Sequence, residues 1–343
     1  MRIMKLLASL LMALALLSCS KEEDTPVVYG EKIEVKLGMN EDFNASSASE
    51  TRTSADNGIY GINVYFDKEK DGKTDNIYAF GLFDNVADMT ITLLSGYKYR
   101  FVCTFAKNEE QSLYYGQYDG NAYQGYAAPF QTNKHSSTQV GNAFVYSNQT
   151  GEYLSGLGVG DAVIFTSSGG TTTSLYPKIH RYYGEKDSYS PVVGGEVTIP
   201  LKKTVFGVKL IIKGVPEGSL KVVVAANGTN ILDKTATTSD YVSGSDLRSY
   251  RNVYDCWKNE SNIPGTVKWT FTSSKFSQWN ISGSSNITFK RNVLKTITVS
   301  VTPDSAGASI SLTEEEWDDE NTINMGINSD GLIDIIVNPE PED

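Results

Sequence analysis

Cysteine, histidine and basic charge are all scarce in this 343-residue chain: it has 3 Cys, 2 His, and 30 Lys plus Arg against 41 Asp plus Glu. The net charge of −11 argues against nucleic acid as a partner, because phosphates repel an acidic surface. Three Cys cannot supply a disulfide framework, so a packed core must stabilise the fold. His135 and His180 lie far apart in loop-like stretches. There is no HExxH pair, no GxSxG and no P-loop, and nothing in the sequence converges two carboxylates. Absence of a motif does not remove a serine nucleophile from consideration. The residues nevertheless carry no positive sign of an enzyme, and neither a cofactor nor a metal site is expected. Sustained 3.6-residue periodicity with caps is also missing. The one long apolar run, Leu6–Leu17, falls short of the ~20 residues that cross a bilayer.

What is present begins with that run. Arg2 and Lys5 precede it, and Ser9 is its only polar residue. It reads as a signal peptide over residues 1–18. The boundary sequence Leu16-Leu17-Ser18-Cys19 resembles a bacterial lipobox. The resemblance implies that Cys19 carries palmitate-type acyl chains and becomes the first residue of the mature protein. Two or more acyl chains anchor stably, each buried methylene contributing ~0.8 kcal/mol. Ser20-Lys21-Glu22-Glu23-Asp24 reads either as a solvated acidic spacer or as the surface-export signal that such runs resemble. Losing Arg2 and Lys5 takes the charge from −11 to −13.

The remainder reads as all-β. IYGINVYFD (59–67), NIYAFGLFD (76–84), MTITLL (89–94) and YKYRFVCTFA (97–106) alternate with period two, the last two joined by Ser95-Gly96. A second block holds VTIPLKKTVFGVKLIIKG (197–214), LKVVVAANGTNIL (220–232) with an Asn227-Gly228 turn, TVKWTFT (266–272), NITF (286–289), NVLKTITVSVTP (292–303) and LIDIIV (332–337). Many short strands with regular turns predict sandwiches. The expected organisation is a signal peptide at 1–18, an anchor, strand and tether at 19–52, one β-sandwich domain at 53–193 and a second at 194–343. Cys103 and Cys256 then fall in different domains. The sequence leaves their pairing open, and burial as small hydrophobes is the simpler role.

One strand stands apart. Ile33, Val35, Leu37 and Met39 alternate with polar residues, and a loose Asn/Ser/Ala/Glu-rich stretch follows. Seven residues span about 24 Å as a strand, and the tether 40–52 reaches about 43 Å when extended. Arg52 is the only Arg between Arg2 and Arg100. Several features occur in a fixed order: a lipobox Cys, one strand, an Arg-containing tether, the hairpin ITLLSGYKYRFVCTFA, and then LKKTVFGVKLIIKGVPEG and FKRNVLKTITVSV. This order resembles the fimbrillin family, the type V pilus subunits of Gram-negative anaerobes. The resemblance covers nearly the whole chain.

The resemblance implies two tandem β-sandwiches of transthyretin-like, Greek-key type and a structural role in a fimbrium serving cell adhesion. It implies a surface-exposed outer-membrane lipoprotein from which an Arg-specific surface protease, cutting between Arg52 and Thr53, releases the first strand. Ile33, Val35, Leu37 and Met39 would be a placeholder, replaced by a strand from another fimbrial subunit. Ile333, Ile335 and Val337 are the candidate donor face, or else the closing strand of the second domain. The alternative is an uncleaved pilus anchor or a monomeric surface glycan-binding lipoprotein that keeps its first strand.

Other features were weighed on their residues alone. DKEKDGKTDN (67–76) begins like a calcium loop, but position twelve is Tyr78. A hairpin turn at Asp71-Gly72 is the expected reading. Tyr114, Tyr115, Tyr118, Tyr123 and Tyr126 sit among glycines and form a candidate adhesive loop toward a glycan or protein surface, with packing on its own domain as the alternative. Trp257, Trp269, Trp279 and Trp317 are candidates for a glycan platform or for core and rim. EEEWDDEN (314–321) reads as a solvated face, and Asp304-Ser305-Ala306 resembles a short O-glycosylation sequon.

Overall fold

The architecture was analysed in a computed structural model. It describes residues 30–41 and 58–316, apart from short stretches at 108–117, 120–121, 124–125, 127, 136–137, 148–149, 159–161, 166–170, 175–179, 214, 216–217, 238–240, 276–279 and 303–306. In chain order the strands of the first half are β1 (Lys32–Glu41), β2 (Gly58–Phe66), β3 (Asn76–Phe83), β4 (Thr90–Leu94), β5 (Tyr99–Lys107), β6 (Tyr118–Asp119), β7 (Ala122–Tyr123), β8 (Ala143–Tyr146), β9 (Ala162–Phe165), β10 (Thr171–Ser174), β11 (Arg181–Tyr189) and β12 (Glu196–Lys203). The second half contributes β13 (Val205–Lys213), β14 (Gly218–Ala226), β15 (Thr229–Ala236), β16 (Tyr241–Ser249), the helix α1 (Val253–Asn259), β17 (Ile263–Ser273), β18 (Ile281–Phe289), β19 (Val293–Thr302) and β20 (Gly307–Glu316). The protein is nearly all β, as its period-two sequence requires.

The first large sheet has eight strands in the order β4-β1-β12-β11-β5-β2-β3-β8. Its two terminal strands approach each other, because the Thr92 amide on β4 donates to the Tyr146 hydroxyl on β8 at 3.0 Å. The sheet therefore curls around a single apolar interior. Val35, Ile62, Val64, Phe83, Ile91, Phe101, Tyr182 and Ile199 all meet there, drawn from seven of its eight strands. Curling brings the edges of a long twisted sheet together, which removes exposed edges.

The second half has two four-stranded sheets, β16-β13-β19-β20 and β15-β14-β17-β18. Both send alternate residues into one further core: Phe206, Val208 and Ile297 from the first, Val222, Val267 and Phe289 from the second. Asn227 and Gly228 both have positive φ (46° and 76°) between the paired residues Ala226 and Thr229. That two-residue hairpin is the geometry an Asn-Gly pair favours.

The changeover between these cores falls at Thr204. The sequence reading opens the second domain at Gly194, with 197–203 as its first strand. Hydrogen bonding instead joins β12 to β1 and β11 in the first sheet. Closely spaced apolar residues across Val197–Ile212 conceal the change, although the core positions shift from Val197, Ile199 and Leu201 in one core to Phe206, Val208, Leu210 and Ile212 in the other. Helix α1 is also unforeseen. Seven residues are too few to display a helical period, although Asn252 caps it by accepting from the Asp255 amide at 2.9 Å.

The two halves meet through α1. Tyr183 of β11 packs edge-on against Tyr254 and Trp257 of α1, with centroids at 6.4 and 5.9 Å. Lys202 of β12 pairs with Glu260 at 2.5 Å, and Arg291 lies 3.5 Å from the same carboxylate.

Candidate functional site

The site assembles around β1. Its sequence KIEVKLGMNE puts an apolar side chain at every second residue from Ile33 to Met39. In an extended chain, such spacing sends all four to one face. Ile33, Val35, Leu37 and Met39 are 8%, 0%, 4% and 5% exposed, whereas Glu34 and Lys36 between them face solvent. The buried face packs into the core of the curled sheet.

Both flanks of β1 are occupied by strands far along the chain. On one side it runs antiparallel to β4, from Lys32 opposite Leu94 to Lys36 opposite Thr90. The Leu37 amide donates to the Met89 carbonyl at 2.8 Å, and the Ser95 amide donates to the Glu31 carbonyl at 2.8 Å. On the other side it runs parallel to β12, from Lys36 opposite Glu196 to Glu41 opposite Leu201. β1 is thus an interior strand lying in a slot between β4 and β12. The slot is lined by Ile91 and Leu93 from β4 and by Val197, Ile199 and Leu201 from β12, all buried. The alternation of these lining residues is visible in the sequence. Their pairing with residues 33–39 is not, because nothing local encodes a partner so distant.

β1 is also the main ladder partner of each wall. β4 ends the sheet and has no other ladder neighbour among the described residues. β12 pairs with β11 only at Tyr182–Lys203 and Tyr183–Lys202. Removing β1 would leave main-chain donors and acceptors of both walls, and an apolar trough between them, open to water.

Several solved structures are similar to this chain. The chain is similar to a candidate cell-adhesion protein from Bacteroides eggerthii, with 11% identity and a TM-score of 0.40 over 84% of this chain and 96% of that one. It is similar to a fimbrial anchor protein from Porphyromonas gingivalis, with 8% identity and a TM-score of 0.35 over 83% and 97%. It is also similar to a tip fimbrial protein from Porphyromonas gingivalis, with 10% identity and a TM-score of 0.34 over 84% and 100%. No protein-family model and no curated protein sequence matches the chain.

Cys19, Arg52, Thr53, Ile333, Ile335, Val337, Tyr114 and Tyr115 lie outside the described residues, as do Trp279, Trp317 and Asp304-Ser305-Ala306. Of the tyrosine-rich loop, Tyr118 and Tyr123 pair across the short β6–β7 ladder. Tyr126 is 8% exposed and packs edge-on against Phe130 at 6.2 Å. This corrects its assignment to an adhesive surface: its main chain is bridged to Thr138, which turns the ring into an apolar cluster with Phe80 and Leu157. Trp257 packs between Tyr183 and Tyr254, and Trp269 packs on the second core.

The acidic loop between β2 and β3 folds around Asp67 rather than as a two-residue turn. The Asp71 and Gly72 amides donate to the two carboxylate oxygens of Asp67 at 2.9 and 2.8 Å. Gly72 has φ +87°, which glycine adopts at little cost. Both Asp67 oxygens are therefore engaged by the loop's own backbone. Cys103 and Cys256 are buried, form no disulfide and lie in separate cores. Burial pushes the Cys256 thiol up to about 12, with Arg291 opposing the shift weakly.

Proposed function

We propose that the chain is a fimbrial subunit, made as a surface lipoprotein and assembled by strand exchange at the β1 slot. The observation that carries this is the seat of β1: an amphipathic strand from the start of the described chain fills an interior position between β4 and β12. A strand in that position supplies a full apolar face and two ladders, which is what an incoming strand of the same pattern would supply in its place. The tether that follows it in sequence contains Arg52, the only Arg between Arg2 and Arg100. In this reading Cys19 anchors the precursor to the outer membrane, cleavage between Arg52 and Thr53 frees β1, and two tandem β-sandwich domains form the fibre's repeating body. The reading is structural rather than enzymatic. Its partners are other fimbrial subunits, an Arg-specific surface protease, and the glycan or protein to which the fibre adheres.

The test is limited proteolysis of the chain from residue 20 onward with an Arg-specific protease. The new N-terminus is read by mass spectrometry and the products by gel electrophoresis without boiling. A single cut at Arg52 followed by heat-sensitive ladders is expected. Full protection of Arg52, or cleavage that yields only monomer, would overturn the reading in favour of a permanent first strand.

A further inference from the structure

β4 has an outer side that no strand among the described residues covers. In its ladder with β1, Ile91 and Leu93 lie opposite Val35 and Ile33, and the flanking Met89 and Ser95 bond β1 or the turn before it. The backbone groups of Thr92 and Leu94 point the other way. In a bare edge strand these groups would be left to water or to a second chain.

Here they meet three tyrosines. The Thr92 amide donates to the Tyr146 hydroxyl at 3.0 Å, and the Tyr78 hydroxyl donates to the Thr92 carbonyl at 2.8 Å. The Leu94 amide donates to the Tyr99 hydroxyl at 2.8 Å, and the same hydroxyl donates to the Leu94 carbonyl at 3.1 Å. A phenol can accept and donate at once, which is what this last pair requires. The three rings come from β5, β3 and β8 and stack edge to face. Tyr78 lies 5.2 Å from Tyr99 at 79° and 5.6 Å from Tyr146 at 89°, in the range aromatic pairs prefer. Burial raises Tyr78 to about 12 and shifts Tyr99 the same way, so both keep their proton at neutral pH.

We propose that Tyr78, Tyr99 and Tyr146 hold β4 in register from its outer side, so that it keeps its place as a wall of the slot while β1 is replaced by another strand. The inference rests on the strand-exchange reading above. Without β1, β4 has no ladder. Its remaining ties include the apolar side chains of Met89, Ile91 and Leu93, its chain connections, and these hydroxyls. Apolar side chains decide which face of the strand turns inward, and directional bonds to its outer backbone groups add a further constraint on its position along the sheet. The tyrosines also occupy the groups through which a foreign strand could pair on the wrong side of β4.

The experiment uses the full chain with Tyr146→Phe alone and with Tyr78→Phe, Tyr99→Phe and Tyr146→Phe together; each change removes one oxygen and leaves the ring. Amide exchange at Thr92 and Leu94 is measured first in the uncut protein. The protein is then cut at Arg52 and offered a fluorescent peptide of residues 30–43. We expect Thr92 to lose protection in the single variant and both amides to lose it in the triple variant. Peptide uptake should fall about threefold for the one hydrogen bond lost in the single variant and at least about tenfold for the four lost in the triple variant, with cleavage at Arg52 unchanged. Unchanged protection, or wild-type uptake despite lost protection, overturns the inference alone. Failure of the wild-type protein to be cut or to take up peptide overturns the strand-exchange reading and this inference with it. Should the triple variant not fold, the single change on the half-exposed Tyr146 ring decides: uptake equal to wild type overturns the proposal.

Discussion

Leu37→Ala should unseat β1 and leave the remaining ladders of the fold intact. Leu37 lies in the middle of β1, 4% exposed, next to Lys36, where the two ladders overlap. Its side chain enters the core beside β4 and β12. Truncation loses transfer free energy and leaves a cavity between the two walls that the surrounding core fills only in part; such changes cost about 2–5 kcal/mol. The neighbouring Lys36 points outward from the same strand and is solvent-exposed, so Lys36→Ala should cost within about 0.5 kcal/mol. For a unit of this size, each kcal/mol moves the melting midpoint by about 2–4 °C. The expected separation between the two variants is therefore at least about 3 °C. Scanning calorimetry on both variants measures it, and amide exchange at Leu37 and Ser95 locates it on the two β1–β4 hydrogen bonds. Equal melting of the two variants would refute the assignment of β1 as a core strand.

Other expectations follow from single contacts. Gly184→Ala would place a Cβ 1.9 Å from the Pro200 carbonyl oxygen. β11 and β12 would have to separate, at a cost of at least about 2 kcal/mol in urea titration. Asp67→Ala leaves the Asp71 and Gly72 amides without their acceptor; it should destabilise by about 1–2 kcal/mol, and added calcium should not alter the wild-type melting curve. Glu260 titrates below its usual 4.5, chiefly because of its hydrogen bond from Lys202 and then the charge of Arg291. A depressed carboxylate contributes stability above its unfolded value and loses it as pH falls through the folded one. Wild type should therefore lose up to about 1 kcal/mol relative to Glu260→Gln as pH drops below about 4.5, an exposed pair being worth no more. Cys256, with its thiol raised to about 12, should react with iodoacetamide at pH 8 only after unfolding.

Strand content was readable in the sequence wherever one face is buried. The Asn227-Gly228 hairpin and the alternation at residues 33–39 depend on local chemistry, and both are found where the residues place them. What escaped the sequence is non-local. β12 looks like the first strand of the second half because only Thr204 separates it from β13; the shift of core positions from Leu201 to Phe206 is the one local trace of the change. The three tyrosines that meet β4 are spread over residues 78–146 and carry no shared spacing. Tyr126 looked like a surface ring because a Gly- and Tyr-rich stretch has the composition of a binding loop. Its backbone bridge to Thr138 overrides that composition.

The position of β1 also determines how exchange would have to proceed. Each wall depends on it: β4 has no other ladder, and β12 keeps only its Lys202 and Lys203 pairs with β11. An empty slot would expose the apolar faces of Ile91, Leu93, Val197, Ile199 and Leu201 together, at ~25 cal/mol per Å² of apolar surface. A path that avoids this state admits the incoming strand at one end while β1 peels from the other. The geometry provides such an end. Near Glu41, β1 is paired to β12 alone, because its ladder with β4 stops at Lys36 opposite Thr90. Peeling from Glu41 toward Lys32 breaks one ladder before it reaches the second. Loss of β1 from the protein cut at Arg52 should therefore accelerate with the concentration of an added strand peptide, as followed by fluorescence of a label placed on the released segment. A release rate independent of peptide concentration would mean that the slot empties first, and that its walls stand without a strand between them.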